Sequence, residues 1–79
     1  PCIFPIKVMG PADSPLEQVV TDICCRHAPD LDTSVAVTRR ASRNGKWLSV
    51  TVQVTATSKP QLDAIYRELT AHELVVYAL

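Results

Sequence analysis

The feature that most constrains this chain is a turn followed by a long, strict alternation. After Arg43-Asn44-Gly45-Lys46, the residues Leu48, Val50, Val52, Val54 and Ala56 share one parity, and Ser49, Thr51, Gln53, Thr55 and Thr57 share the other. Side chains of a strand point alternately to its two faces, so this segment has one apolar face and one hydroxyl-rich face. Such a strand belongs in a sheet that is covered on one side only, which argues against a helical bundle and against a parallel sheet buried on both faces. Asn-Gly accepts positive φ at both central positions of a two-residue hairpin turn. The pattern therefore predicts a hairpin between strands over residues 33–42 and 47–57, with Val35 and Val37 on one face of the first.

The remaining segments fit around that hairpin. Residues 3–9 alternate Phe4, Ile6 and Val8 onto one face and leave Ile3 and Met9 on the other. Pro5 belongs where the ladder needs no donor. Gly10-Pro11-Ala12-Asp13 reads as a turn. Ser14-Pro15-Leu16-Glu17 has the form of a capping box, with Pro15 suited to the first helical position. Leu16, Val19, Val20, Ile23 and His27 then follow helical spacing, and Pro29 ends the helix. Ser58-Lys59-Pro60-Gln61 opens a second helix with the stripe Leu62, Ile65, Tyr66 and Leu69. Residues 74–79 form a last strand, apolar on both faces. The order strand–helix–strand–strand–helix–strand predicts an α+β, ferredoxin-like βαββαβ sandwich over residues 1–79 as a single domain. Right-handed crossovers give it a four-stranded antiparallel sheet of order 4-1-3-2 with two helices on one face.

Eight basic and eight acidic residues leave the formal net charge at zero, so any basic patch is local. No apolar run approaches the ~20 residues of a membrane helix, and no signal segment opens the chain. The chain starts at Pro1 without an initiator Met, which points to trimming or processing. Its 3 cysteines, Cys2 and the vicinal Cys24 and Cys25, make a poor disulfide framework and fit free thiols in a reducing cytoplasm.

Several chemistries carried by this type of fold find no groups here. Adjacent Cys24 and Cys25 diverge by ~100° on a helix, so they cannot share a metal ion. No Gly-rich phosphate loop is present either, since the only glycines are Gly10 and Gly45. RNA recognition on an open sheet needs aromatic platforms on the central strands. Strand three offers Ser49, Thr51, Gln53 and Thr55 instead, and Trp47, which has the right parity, sits at the hairpin end. Arg39, Arg40, Arg43 and Lys46 make a basic hairpin, which suits a solvated tip better than a nucleic-acid site. Acyl-phosphate hydrolysis would need an Arg in residues 10–15, where there is none, and a strand Asn, whereas Asn44 is committed to the turn. His27 follows Cys24 at helical reach, but a half-buried His bonding a last-turn carbonyl is the more economical reading. His72 belongs to the surface before the last strand. The expectation is a non-enzymatic module without catalytic residues, metal or cofactor. The parity of the apolar last strand is open, so either Leu74 and Val76 or Val75, Tyr77 and Leu79 reach the uncovered face. The second set gives an interface of Ile3, Met9, Val75, Tyr77 and Leu79 for a protein partner or a second copy.

Short motifs in a definite order also carry a resemblance. They are Lys7-Val8-Met9-Gly10, Arg26-His27-Ala28-Pro29, Gly45-Lys46-Trp47 with Ser49-Val50, and the Tyr66-to-Leu69 helix end before an apolar strand. In these the chain resembles the YbeD-like family of small bacterial proteins of unknown function, with Trp47 where that family has Tyr. The resemblance implies a fold similar to the regulatory ACT domains and an association with lipoate biosynthesis. It also implies a ligand loop at Met9, Gly10, Asp13 and Ser14, where the amino end of the first helix would receive a small carboxylate. The structural alternative is that Gly10 only makes the turn and Ser14 only caps.

Overall fold

The computed structural model describes residues 2–79; Pro1, with the expectation of processing attached to it, lies outside them. Seven elements follow in order: β1 (Cys2–Pro11), α1 (Leu16–His27), α2 (Thr33–Ala36), β2 (Val37–Ala41), β3 (Trp47–Ala56), α3 (Lys59–Ala71) and β4 (Tyr77–Ala78). The sheet order is β2-β3-β1-β4, the expected 4-1-3-2 read in reverse, and every pairing is antiparallel. The fold class is thus α+β, as predicted, with a short third helix added.

The core lies between the helices and one face of the sheet. Ile6 and Val8 of β1 and Val50, Val52 and Val54 of β3 are fully buried against Leu16 and Val20 of α1 and Ile65 and Leu69 of α3. Phe4, expected on this face, has the right parity but is 38% exposed at the edge of the cover. The other side of the sheet carries no helix, as the hydroxyl parity of β3 requires. Lys7 N–H donates to the Leu79 carbonyl. By the two-residue period, the Pro5 nitrogen points the same way, beyond the residues that β4 pairs, so its missing donor breaks no bond.

Four local expectations are corrected. The first is the start of α1, whose N-cap is Pro15 with no side-chain cap. Ser14 Oγ instead donates to the Pro11 carbonyl at 2.6 Å, and Glu17 turns outward to Arg39. The strand also runs on through Gly10 and Pro11, so the turn moves to Ala12 and Asp13.

The second is the segment 33–36, expected as strand but folded as one helical turn. The Asp32 carboxylate accepts from Ser34 N–H at 3.0 Å and from Ser34 Oγ at 2.6 Å, capping α2 before the strand can begin. Val35 is consequently 74% exposed rather than paired with Val37 on the core face.

Third, the hairpin is not a two-residue turn. Gly45 alone among the described residues has positive φ, +72°. Gly45 N–H donates to Ser42 O at 2.9 Å, while Asn44 Oδ1 accepts from Ser42 Oγ at 2.9 Å and Lys46 N–H at 3.0 Å. Asn44 serves through its side chain, in a type I turn followed by a left-handed glycine.

Fourth, β4 is only Tyr77–Ala78. Leu74 and Val75 lie in a turn, where Leu74 N–H donates to His72 Nδ1 at 3.1 Å and Val75 N–H to the His72 carbonyl at 3.1 Å. At α3, by contrast, Ser58 caps as expected, accepting from Gln61 N–H at 3.2 Å.

Candidate functional site

The open face is assembled by register. β1 sends Ile3, Lys7 and Met9 to it, β3 sends Ser49, Thr51, Gln53 and Thr55, and β2 sends Thr38 and Arg40. Met9 pairs with Tyr77, and Val8, which faces the core, pairs with Ala78. The unresolved parity of the last strand is thereby decided: Tyr77 and Leu79 reach the open face. Ile3 is 68% exposed, Leu79 67% and Tyr77 37%. Val75, grouped with them by sequence, packs against the core instead. The face is therefore divided. Its β1–β4 side is apolar except for Lys7, which stands on β1 between Ile3 and Met9, and its β3–β2 side is hydroxylic with Arg40 at the edge.

The residues of the suggested ligand loop are dispersed. Met9 is on the open face, and Gly10 is buried against Leu16 and the Leu74 carbonyl. Asp13 borders a cavity of about 250 Å³ at the hairpin tip with Lys46 and Trp47, and Ser14 is engaged by Pro11. Ala12 N–H donates to the Lys46 carbonyl at 3.0 Å, tying this loop to the hairpin.

Cys24 and His27 are held in place by their surroundings, whereas Cys2 is exposed and Cys25 half-buried. Cys24 is fully buried, and that burial, helped by the neighbouring Cys25, pushes its thiol up to about 12. A thiol so raised stays protonated and unreactive at neutral pH. His27 does not bond a last-turn carbonyl. It pairs with the Glu68 carboxylate on α3, which Arg26 also engages. Gln61 Nε2 donates to the His27 carbonyl at 2.8 Å, so the end of α1 is fastened to α3 at two points. Among the described residues, no three His, Cys, Asp or Glu side chains converge as a metal site.

Hydrogen bonds from His27 and then Arg26 hold the Glu68 carboxyl below its ordinary value of 4.5. A carboxylate with a lowered folded pKa adds stability above its unfolded value, and that stability is lost as pH falls through the folded value. Urea midpoints measured downward from pH 6 are expected to fall more steeply below about pH 4.5 in the native chain than in Glu68→Gln. Parallel acid limbs would mean that this clasp adds nothing.

An open-faced α+β sandwich with a two-part exposed sheet surface defines the class of this domain. The chain belongs to the DUF493 family, described as a protein of unknown function, whose profile matches residues 1–79. The family resemblance carried by the sequence motifs therefore holds. A UPF0250 protein of Neisseria gonorrhoeae strain NCCP11945 is 47% identical over 79 residues, covering 100% of this chain and 86% of the relative. The UPF0250 protein NE1487 of Nitrosomonas europaea is 45% identical over 80 residues, covering 100% of this chain and 90% of its own. One from Ectopseudomonas mendocina is 52% identical over 68 residues, covering 86% of this chain and 73% of its own. No solved structure matches the chain. Among the described residues no helix is long and apolar enough to cross a membrane.

Proposed function

We propose that this domain is a non-enzymatic protein-interaction module that takes a partner protein on the open face of its sheet. The observation that carries this reading is the exposure of Ile3, Tyr77 and Leu79, with Met9, on one side of a sheet face that no helix covers. An exposed apolar patch usually marks an interface. Met9, Tyr77 and Leu79 are neighbours across β1 and β4, and Ile3 lies further along β1 beyond Lys7. Charge favours a different protein over a second copy. The open face carries Lys7 and Arg40 and no carboxylate, so two copies meeting face to face would oppose like charges. The buried Cys24 thiol supports the non-enzymatic part of the reading.

Site-specific photo-cross-linking in the living bacterium tests it. A cross-linker at position 77 is expected to give a discrete adduct with a protein other than this chain, whereas one at Asp63 on the exposed side of α3 gives none. The adduct is expected to disappear when Met9→Lys is added. Equal labelling from both positions, an adduct of two copies of this chain, or no adduct from position 77 would each defeat the reading.

A further inference from the structure

The charges of this chain are segregated by layer. All eight acidic residues lie outside the strands, on the helices and the loops that serve them. Of the eight basic residues, five lie in the strands and the hairpin tip: Lys7, Arg39, Arg40, Arg43 and Lys46. A net charge of zero thus conceals a cationic sheet and an anionic helical layer. Arg39 is set apart from the others. Its side chain reaches round to Glu17 on α1, with Nη2 to Oε2 at 3.0 Å, and that hydrogen bond holds the Glu17 carboxyl below its ordinary range.

Lys7 and Arg40 remain on the open face. Among the described residues neither takes part in an ion pair. Register sets them on either side of β3: Lys7 pairs with Thr51, which pairs with Thr38, and Arg40 pairs with Ser49. With strands ~4.8 Å apart, the two cations stand on strands ~10 Å apart, with the hydroxyl-bearing β3 between them. A shallow cavity of about 260 Å³ lies there, and no acidic side chain lines it. Two cations without a counter-ion repel one another in the free protein, and an anion set between them relieves that repulsion.

We propose that this part of the open face is an anion cradle that receives the carboxylates of an acidic, apolar segment of a partner protein. The inference rests on the docking reading above and specifies the partner's chemistry. The cradle adjoins Met9, which pairs with Ser49 on one side and Tyr77 on the other, so a segment seated across the sheet meets cations and apolar side chains in turn. Nucleic acid is disfavoured, because beside the cradle β3 carries Ser49 and Thr51, and its one aromatic, Trp47, sits at the hairpin end with Lys46 over its ring, where it makes no stacking platform.

The test is a backbone-amide titration of the whole chain with a synthetic peptide of alternating glutamate and leucine. Saturable shifts are expected at Lys7, Arg40, Ser49 and Thr51. Affinity is expected to drop at least tenfold with a peptide carrying glutamine for glutamate, and at least tenfold in the Lys7→Glu/Arg40→Glu variant at unchanged melting temperature. Should that variant unfold, Lys7→Gln/Arg40→Gln is the replacement, with the same expectation. Raising the ionic strength should weaken the glutamate peptide selectively. Equal binding of the two peptides centred on Met9 and Tyr77 would overturn the cradle and leave the docking reading intact. Cradle shifts insensitive to Met9→Lys with Tyr77→Lys would support the cradle and count against the apolar docking surface. Tighter saturation of the same amides by inorganic phosphate or by single-stranded RNA would overturn the carboxylate assignment, as would shifts confined to Arg43 and Lys46.

Discussion

Replacing Leu69 by alanine is expected to lower the unfolding free energy by about 2–5 kcal/mol. Leu69 is fully buried in the last turns of α3, where it closes the core over the sheet beside Ile65 and Val20. The loss combines the transfer of a large aliphatic side chain with a cavity that neighbours on a rigid sheet cannot refill. A chain of 79 residues has a total stability of roughly 4–12 kcal/mol, so this one change removes a large share of it. Urea denaturation followed by circular dichroism is expected to show a lower midpoint at unchanged slope. Leu62→Ala on the same helix is only partly buried and should cost clearly less. A cost below about 1 kcal/mol at Leu69 would mean that α3 does not close the core as described.

Gly10→Ala is expected to cost about 1–3 kcal/mol, for a different reason. Backbone conformation is not the obstacle, because Gly10 has no positive φ. Space is the obstacle. A Cβ at Gly10 would come to 2.8 Å from Leu16 Cδ1 and closer still to the Leu74 carbonyl oxygen. The leucine methyl can move, but the carbonyl belongs to the backbone of the turn that delivers β4. Adding Leu16→Ala should therefore fail to rescue the variant. The strain should instead appear as faster hydrogen exchange at Val76, whose amide bonds the Met9 carbonyl at 2.8 Å. Gly45→Ala is the natural contrast. Nothing lies within 4 Å of its Cβ position, and its cost of ~1 kcal/mol would come from the positive φ alone.

Much of the fold was legible because its periodicities are clean. The two parities of β3 assigned each side chain from Leu48 to Ala56 to its observed face, and the stripe of α3 placed Ile65 and Leu69 in the core. What escaped was local competition between side chains and backbone. Asp32 reads as loop, yet its carboxylate nucleates a helical turn that converts Val35 from strand to surface. Ser14 has the form of a cap but bonds backward to Pro11. In both cases one short side chain chooses between two nearby backbone partners, and composition does not encode that choice. The open face was half legible. Ile3 and Met9 followed from the parity of β1, but Tyr77 and Leu79 could be separated from Val75 only by the pairing of β4. Arg39 and Arg40 read as one basic patch, whereas the strand sends them to opposite sides. The signal for Lys7 and Arg40 was present in strand parity and in the absence of any Asp or Glu from the strands.

That layered charge also governs how the molecule meets others. It is an electrical dipole of zero net charge, and its two poles are separated by the thickness of a sheet-on-helix sandwich, ~10 Å or about one Debye length at physiological salt. An approaching body therefore senses chiefly the nearer pole. Anionic and cationic surfaces alike should hold the domain, each in its own orientation. Encounter with an acidic partner would then be productive only from the sheet side, because the helical layer turns the same partner away.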